Sequence, residues 1–377
     1  MRPARKIPEM RVVLCGGGTG GHVYPILAVV EALRRQEGDG LNLVYTGMPG
    51  SVEARLAARA DIPFEIVESG QMRGRAPWDV ARSLVRLARG IGQARRFLKG
   101  FRPHVIFTTG GYGAAPVLIA ARLEAVPALI FLPDAEPGLT VKFLGRLVPK
   151  VAVTFPEVQA FFPPGKTVVT GYPVRPELLK VGREEALRRL GLKGNRPVLL
   201  AFGGSKGARS INRAVVQGAA SLLEMADVVH ITGSLDYPWV AEARAKMPAE
   251  LQAHYLVFEY LEEEMGCALA AADLVVSRAG ASTLGEFPAF GLPSVLVPYP
   301  YSGQHQYANA RFLVERGAAV MVEDKDLPRE LVPAVRRLLA DESRRLEMGR
   351  KAAALAQPGA AERIAAELRR LAAGGEG

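Results

Sequence analysis

The stretch Arg11-Val12-Val13-Leu14-Cys15-Gly16-Gly17-Gly18-Thr19-Gly20-Gly21-His22 decides how the rest of the chain is read. Residues 11–15 form a short apolar run of the kind buried in a parallel sheet, and the run stops at a cluster of glycines. From about 24–35 the apolar residues recur at helical spacing. Strand, glycine-rich turn and helix, in that order, open a βα unit of the doubly wound kind. The glycines permit a tight turn and a close backbone approach to an anion, and the helix start offers N–H groups to hold it. The match to G-x-G-x-x-G is weak by itself, and a purely structural turn has the same composition. A dinucleotide site adds an acidic residue at the end of the second strand. Here that strand, 41–46, ends Val44-Tyr45-Thr46-Gly47, which argues against NAD.

The same rhythm continues outward. Apolar runs at 104–108 and 127–132 read as strands, with the loop Thr109-Gly110-Gly111-Tyr112-Gly113 and a helix to about Glu124 between them. A Pro/Gly-rich stretch at 162–176 interrupts the pattern, which restarts near Arg175. Strands are then expected at 197–202, 228–232, 254–258, 274–277 and 294–297, with helices from Arg209 and around 283–290. The expected architecture is α/β: two doubly wound domains, 1–174 and 175–357. A last helix at about 361–372, in a segment 358–377, either extends the second domain or returns to the first. The halves share architecture and no close sequence repeat.

Composition sets the outer limits. At 377 residues two domains are expected, and a hydrophobic fraction of 49% is enough to give each its own core. Two cysteines far apart, Cys15 and Cys267, argue against a disulfide framework or a cysteine zinc site, and suit a reduced, cytoplasmic compartment. The apolar run after the basic first ten residues is too short for a signal peptide. The longest apolar region, 114–132, is broken by Arg122, Glu124 and Pro127 and does not read as a transmembrane helix. The formal charge of +10 permits phosphate-bearing ligands, anionic lipid or nucleic acid. No nucleic-acid-binding motif accompanies it, so nucleic acid is not expected as a partner.

Two further strand–loop–helix starts lie in the second half. Gly203-Gly204-Ser205-Lys206-Gly207-Ala208 lacks the Gly-Lys-Ser/Thr ending of an ATPase loop, but its backbone N–H groups and the Ser205 hydroxyl suit a diphosphate. Arg278-Ala279-Gly280-Ala281-Ser282-Thr283-Leu284-Gly285-Glu286 places a carboxylate one turn into a helix, where it can accept from both ribose hydroxyls or simply complement the helix dipole. His22 sits inside a glycine-rich loop, as a base for an acceptor hydroxyl, a phosphate contact or a plain cap. His305, in a polar loop after a strand, is a candidate ligand contact, whereas His104 and His230 border apolar strands and read as structural. Asp324-Lys325-Asp326 reads as capping and surface charge, and no metal site is expected. Between 73 and 102 nine basic residues (Arg73, Arg75, Arg82, Arg86, Arg89, Arg95, Arg96, Lys99, Arg102) interleave with Trp78, Leu84, Val85, Leu87, Ile91, Phe97 and Leu98. Such a helix either lies on anionic lipid or packs its apolar stripe in the core.

Taken together these segments resemble the MurG family over nearly the whole chain. Residues 17–22 match its GGTGGH opening, and Ser69-Gly70-Gln71-Met72-Arg73-Gly74 resembles SG-x-RG. Thr109-Gly110-Gly111-Tyr112 resembles GGY, and Gly171-Tyr172-Pro173-Val174-Arg175 resembles GNPVR with Tyr172 in place of Asn. Residues 203–208 match GGS-x-GA, 278–286 match R-S-G-A-x-T-x-x-E, and His305-Gln306 with Asn309-Ala310 resemble HQ-x-x-NA. The resemblance implies a GT-B fold, two Rossmann-like domains facing a cleft. It implies inverting transfer of N-acetylglucosamine from UDP-N-acetylglucosamine to undecaprenyl-pyrophosphoryl-N-acetylmuramoyl-pentapeptide, forming a β-1,4 bond without a required cofactor.

By matched position, the donor would meet Thr19, Gly20, Arg175, Gly204, Ser205, Leu261 (uracil), Ser282, Thr283 (phosphates), Glu286 (ribose), His305 and Gln306 (sugar). The acceptor would meet Gly18, Gly21, Gly111 and Tyr112, with His22 as base or diphosphate contact. The resemblance also implies a peripheral protein on the cytoplasmic face of the membrane. Its anionic surface would be met by Trp78, Arg82, Arg86 and Arg89, and other cell-wall enzymes are candidate partners. One segment departs from the family: where HEQN is common, this chain has Phe131-Leu132-Pro133-Asp134 and then Ala135-Glu136. Asp134 or Glu136 is therefore a second candidate base. The departure keeps open a related transferase with another lipid acceptor. A UDP-sugar 2-epimerase and a non-catalytic nucleotide-sugar-binding protein are the other readings.

Overall fold

The computed structural model describes residues 9–17, 20–69, 77–204, 207–262, 264–301 and 304–374. The chain divides into two compact units, Met1–Pro173 with Gly359–Gly377, and Val174–Pro358. Among the described residues of the first unit, β1 (Met10–Cys15), β2 (Leu41–Gly47), β3 (Phe64–Ile66), β4 (Val105–Thr108), β5 (Ala128–Leu132), β6 (Lys150–Val153) and β7 (Thr167–Val169) form one sheet in the order β3-β2-β1-β4-β5-β6-β7. Every pair is parallel, and Cys15 is in register with Thr46 on one side and Thr108 on the other.

The central strands read as apolar runs because helices cover both of their faces. Val12, Val13, Leu14 and Cys15 of β1 and Val105, Ile106 and Phe107 of β4 are all fully buried, each large side chain contributing about 1.5–3 kcal/mol on transfer from water. The helix Gly20–Glu37 follows β1, and the final helix Ala360–Ala372 docks against it. Arg35 pairs with Glu362 at 2.8 Å, and the Nε of Arg363 donates to the Thr170 carbonyl at 2.8 Å. Three of these strands were not expected from the sequence. β3 is largely solvated, β6 follows a short turn, and β7 lies inside the Pro/Gly-rich 162–176 stretch that otherwise reads as a linker.

The second unit repeats the plan. Its described strands are β8 (Val198–Phe202), β9 (Asp227–Ile231), β10 (Tyr255–Phe258), β11 (Leu274–Ser277), β12 (Ser294–Leu296) and β13 (Ala319–Met321), again all parallel, in the order β10-β9-β8-β11-β12-β13. Under the sheet edge lies a buried polar chain. The ring nitrogens of His230 meet the Tyr255 hydroxyl at 2.8 Å and Asn212 Oδ1 at 3.0 Å. Asn212 Nδ2 donates to Asp236 at 2.9 Å and to the Thr232 carbonyl at 2.8 Å, and Asp236 accepts from Arg209 Nε at 2.9 Å. Burial pushes His230 down to about 3, so its ring stays neutral, as suits the structural role expected of it. His104 is likewise structural, its Nδ1 accepting from the Arg11 N–H at 3.0 Å.

Candidate active site

In each sheet the strand order reverses once, between β1 and β4 in the first unit and between β8 and β11 in the second. Open parallel sheets bind ligands beyond the carboxyl ends of their strands at this reversal. Most sequence-derived candidates follow the ends of these strands or of their neighbours.

In the first unit, Gly16 and Gly17 leave β1, and Gly20 and Gly21 are the first two residues of the following helix. Gly18 and Thr19 lie outside the described residues. A Cβ at Gly17 would lie 2.6 Å from Oε2 of the buried Glu53, so a larger residue there would have to push that carboxylate aside. Glu53 was not anticipated. It belongs to the helix Val52–Arg59, which Ser51 caps by accepting from the Ala54 N–H at 3.3 Å. The acid missing from the end of β2 is thus supplied a few residues later. The Tyr45 hydroxyl donates to the Gly16 carbonyl, and Tyr45 itself is fully buried.

The loop after β4 meets this turn. Thr109 Oγ1 donates to the His22 carbonyl at 2.9 Å, and a Cβ at Gly111 would sit 3.6 Å from the Gly17 carbonyl. His22 is half-buried in the first turn of its helix, and Tyr112 is exposed on the neighbouring loop. Asp134, half-buried, and Glu136, exposed, follow β5, the strand beside β4. Thr154 anchors that turn by donating to the Pro133 carbonyl at 3.1 Å. His22, Gly111 and Tyr112 are thereby brought to one edge, with Asp134 and Glu136 one strand further along.

In the second unit, Gly203 and Gly204 leave β8, while Ser205 lies outside the described residues. Gly204 has a φ of +86° and open space where a Cβ would be, a backbone that a ligand can approach closely. After β11, Ser282 and Thr283 lie in a single 3₁₀ turn, Ala281–Leu284, and the Thr283 hydroxyl donates to the Gly280 carbonyl at 2.7 Å. The helix expected at 283–290 is therefore split, and Glu286 is the first residue of its second part, Glu286–Phe290. Glu286 is buried, and that burial pushes its carboxyl up to about 7 against the opposing pull of the Arg175 charge. These two residues, far apart in sequence, are brought within electrostatic reach.

Leu261 is buried beyond β10. His305 is the first residue of the helix Glu315 ends, His305–Glu315, rather than part of a loop, and Gln306 Oε1 accepts from the Tyr299 N–H at 2.8 Å. Arg278 has a different occupation. Its Nη1 reaches Asp324 at 2.5 Å and the Val297 carbonyl at 3.2 Å, and its Nη2 donates to Ser210 at 2.8 Å. Asp324, one end of the D-x-D triplet, is thus an internal partner, not surface charge.

The helix Pro77–Phe101 carries the basic segment. Arg82, Arg86 and Arg89 are exposed, as are Leu84 (51%) and Val85 (52%), while Ser83, Ala94 and Leu98 are buried. The side chain of Trp78, with Arg73 and Arg75, lies outside what is described. Among the described residues no helix is long and apolar enough to cross a membrane, and no cluster of His, Cys, Asp and Glu is arranged to hold a metal ion.

Two family models match the chain: the glycosyltransferase family 28 N-terminal domain over residues 12–153 and its C-terminal domain over 198–364. A UDP-N-acetylglucosamine–N-acetylmuramyl-(pentapeptide) pyrophosphoryl-undecaprenol N-acetylglucosamine transferase of Desulforudis audaxviator (strain MP104C) is 40% identical over 378 residues, covering 97% of this chain and 100% of that protein. The chain belongs to the MurG family of glycosyltransferases. The crystal structure of Acinetobacter baumannii MurG superposes with a TM-score of 0.76 at 29% identity, covering 96% of this chain and 99% of that one. The MurG fold, two Rossmann-like domains of GT-B type, is therefore this chain's fold. A UDP-GlcNAc 2-epimerase from Neisseria meningitidis bound to UDP-GlcNAc also superposes, with a TM-score of 0.66 over 95% of this chain and 99% of that one, but at 12% identity. That likeness carries the fold alone, and it explains why an epimerase is a natural rival from architecture.

Proposed function

We propose that this chain transfers N-acetylglucosamine from UDP-N-acetylglucosamine to undecaprenyl-pyrophosphoryl-N-acetylmuramoyl-pentapeptide. The observation that carries the reading is full-length membership of a family whose curated members bear that activity in their names, at 40% identity. The second unit would take the donor. Glu286, once ionised, accepts from the ribose hydroxyls, and Arg175 and the backbone N–H groups around Gly204 meet the diphosphate. Thr283, Ser282, Leu261, His305 and Gln306 complete that edge. The first unit would take the acceptor at Gly21, Gly111 and Tyr112.

In the reaction an acceptor hydroxyl oxygen bonds to C1 of the sugar as the C1–phosphate oxygen bond breaks. UDP leaves with the electron pair, and the hydroxyl proton passes to a base. His22 is the first candidate for that base and Asp134 or Glu136 the second. Charge growing on the departing diphosphate is stabilised by Arg175 and the oriented N–H groups.

The exposed face of the helix Pro77–Phe101 would meet the membrane. Leu84 and Val85 enter the headgroup region while Arg82, Arg86 and Arg89 meet anionic lipid, which makes the protein peripheral on the cytoplasmic face. The test of the reading is UDP release from UDP-N-acetylglucosamine with and without the lipid-linked pentapeptide. Release that requires the lipid, with a disaccharide product, is expected. Release without acceptor would point to an epimerase-like or hydrolytic enzyme. Donor binding without turnover would point to another lipid acceptor, beginning with the altered 131–136 segment.

A further inference from the structure

The loop after β12 holds two tyrosines that the donor and acceptor assignments leave unused. Tyr299 is anchored from both sides. Its N–H donates to Gln306 Oε1 at 2.8 Å, and its ring lies 5.1 Å from the Arg278 guanidinium carbon. Arg278 is itself only 10% exposed and tied to Asp324, Ser210 and the Val297 carbonyl. Tyr301 then meets the Tyr299 ring at 5.6 Å with the planes 74° apart, an edge-to-face contact. Tyr301 is nevertheless 81% exposed.

This combination needs a reason. A ring left in water adds little to the stability of the fold, because it removes little apolar surface from solvent. Holding such a ring still also costs side-chain entropy. A fixed, exposed aromatic becomes useful when something binds to it, since the ordering cost has been met before the ligand arrives. The partner that suits a flat electron-rich face beside the edge proposed to take the donor sugar is the C–H face of a pyranose ring. Gln306, which anchors Tyr299, is also one of the residues assigned to the sugar.

We propose that Tyr301, held by the Arg278–Tyr299 column, is a stacking platform for a pyranose ring of a substrate. The inference rests on the transferase reading and adds a sugar subsite to it. The ring is that of the donor sugar or of the acceptor sugar, and one experiment separates them. In the full chain, affinities for UDP and for UDP-N-acetylglucosamine are measured by calorimetry, and the acceptor KM by transfer, for the parent, Tyr301→Ala and Tyr301→Phe.

If the donor sugar stacks, Tyr301→Ala weakens UDP-N-acetylglucosamine by about fivefold and leaves UDP unchanged. If the acceptor sugar stacks, the acceptor KM rises by about as much and both nucleotide affinities hold. In either case Tyr301→Phe stays within about twofold of the parent, because the face and not the hydroxyl makes the contact. Tyr301→Ala matching the parent in all three quantities overturns the proposal. So does a parallel loss of UDP affinity, or a Phe variant as impaired as the Ala one. A parent that binds UDP-N-acetylglucosamine but transfers nothing to lipid defeats the transferase reading instead. The donor comparison then decides the platform alone, and an unchanged UDP-N-acetylglucosamine affinity in Tyr301→Ala overturns it.

Discussion

At the reversal between β1 and β4 the first unit gathers glycines, a half-buried imidazole and a buried carboxylate, whereas at the reversal between β8 and β11 the second gathers a buried carboxyl and a guanidinium acting on it. The backbones follow the same plan, with turns between strand ends and helix starts that suit anions on either edge. The side chains differ in what they are occupied with. In the first unit Tyr45 and Thr109 spend their hydroxyl protons on the Gly16 and His22 carbonyls, stiffening the turn itself. In the second, Glu286 is held near neutrality by burial, poised to ionise when hydroxyl donors reach it. On the proposed reading one scaffold would serve two kinds of ligand: a turn that places a base beside an acceptor, and a turn that takes a nucleotide.

The largest expected effect would sharpen this contrast. His22→Ala is expected to lower kcat by about a hundred- to ten-thousandfold in lipid-dependent transfer. A loss confined to KM would assign His22 to binding instead. Next is the buried chain beneath the second edge. His230→Leu leaves Asn212 Oδ1 and the Tyr255 hydroxyl without their partner and should cost about 2–4 kcal/mol in urea unfolding. Because burial depresses His230 to about 3, its contribution to stability is present above the ordinary histidine value and is lost as pH falls toward 3. An unchanged midpoint in the variant would show that the network contributes nothing measurable. Arg175→Ala should weaken UDP-N-acetylglucosamine by about 10- to 100-fold, the worth of a charge-assisted contact to a diphosphate, and leave the acceptor KM alone.

The smallest effect is a pH dependence. If Glu286 takes both ribose hydroxyls, as proposed, the carboxylate accepts from them better than the neutral acid does, so nucleotide binding would release its proton at pH values below about 7. Affinity for UDP-N-acetylglucosamine, whose diphosphate diester does not titrate there, should fall about tenfold from pH 8 to pH 6. Calorimetry across that range checks it, and Glu286→Gln should flatten the profile. The same raised value makes the fold less stable as pH rises from 4.5 towards about 7, since the buried carboxyl keeps a proton that the unfolded chain has already lost.

Much of the fold was legible because central parallel strands announce themselves as unbroken apolar runs. Val12-Val13-Leu14-Cys15 and Leu274-Val275-Val276 cannot be read otherwise once glycine turns follow them. Edge strands carry no such mark. β3 exposes Glu65 and Ile66, and β7 is three half-buried residues between prolines and glycines. The strand–turn–helix frame around His22 and Glu286 was legible because their positions follow strand ends, and contacts that depend on distant partners were not. Nothing in the sequence ties Arg278 to Asp324, 46 residues on, or sets the Glu53 carboxyl against Gly17. The column from Arg278 through Tyr299 to Tyr301 is equally silent in sequence, since Tyr-Pro-Tyr alone reads as an ordinary turn.

The most direct test of the division between the two edges is equilibrium binding of UDP-N-acetylglucosamine, without acceptor, to His22→Ala and Glu286→Gln proteins measured side by side. The assignment of donor to the second unit and base to the first predicts that His22→Ala binds as the parent does, while Glu286→Gln binds about tenfold or more weakly at pH 8. Equal losses in both variants, or a loss in His22→Ala alone, would contradict it.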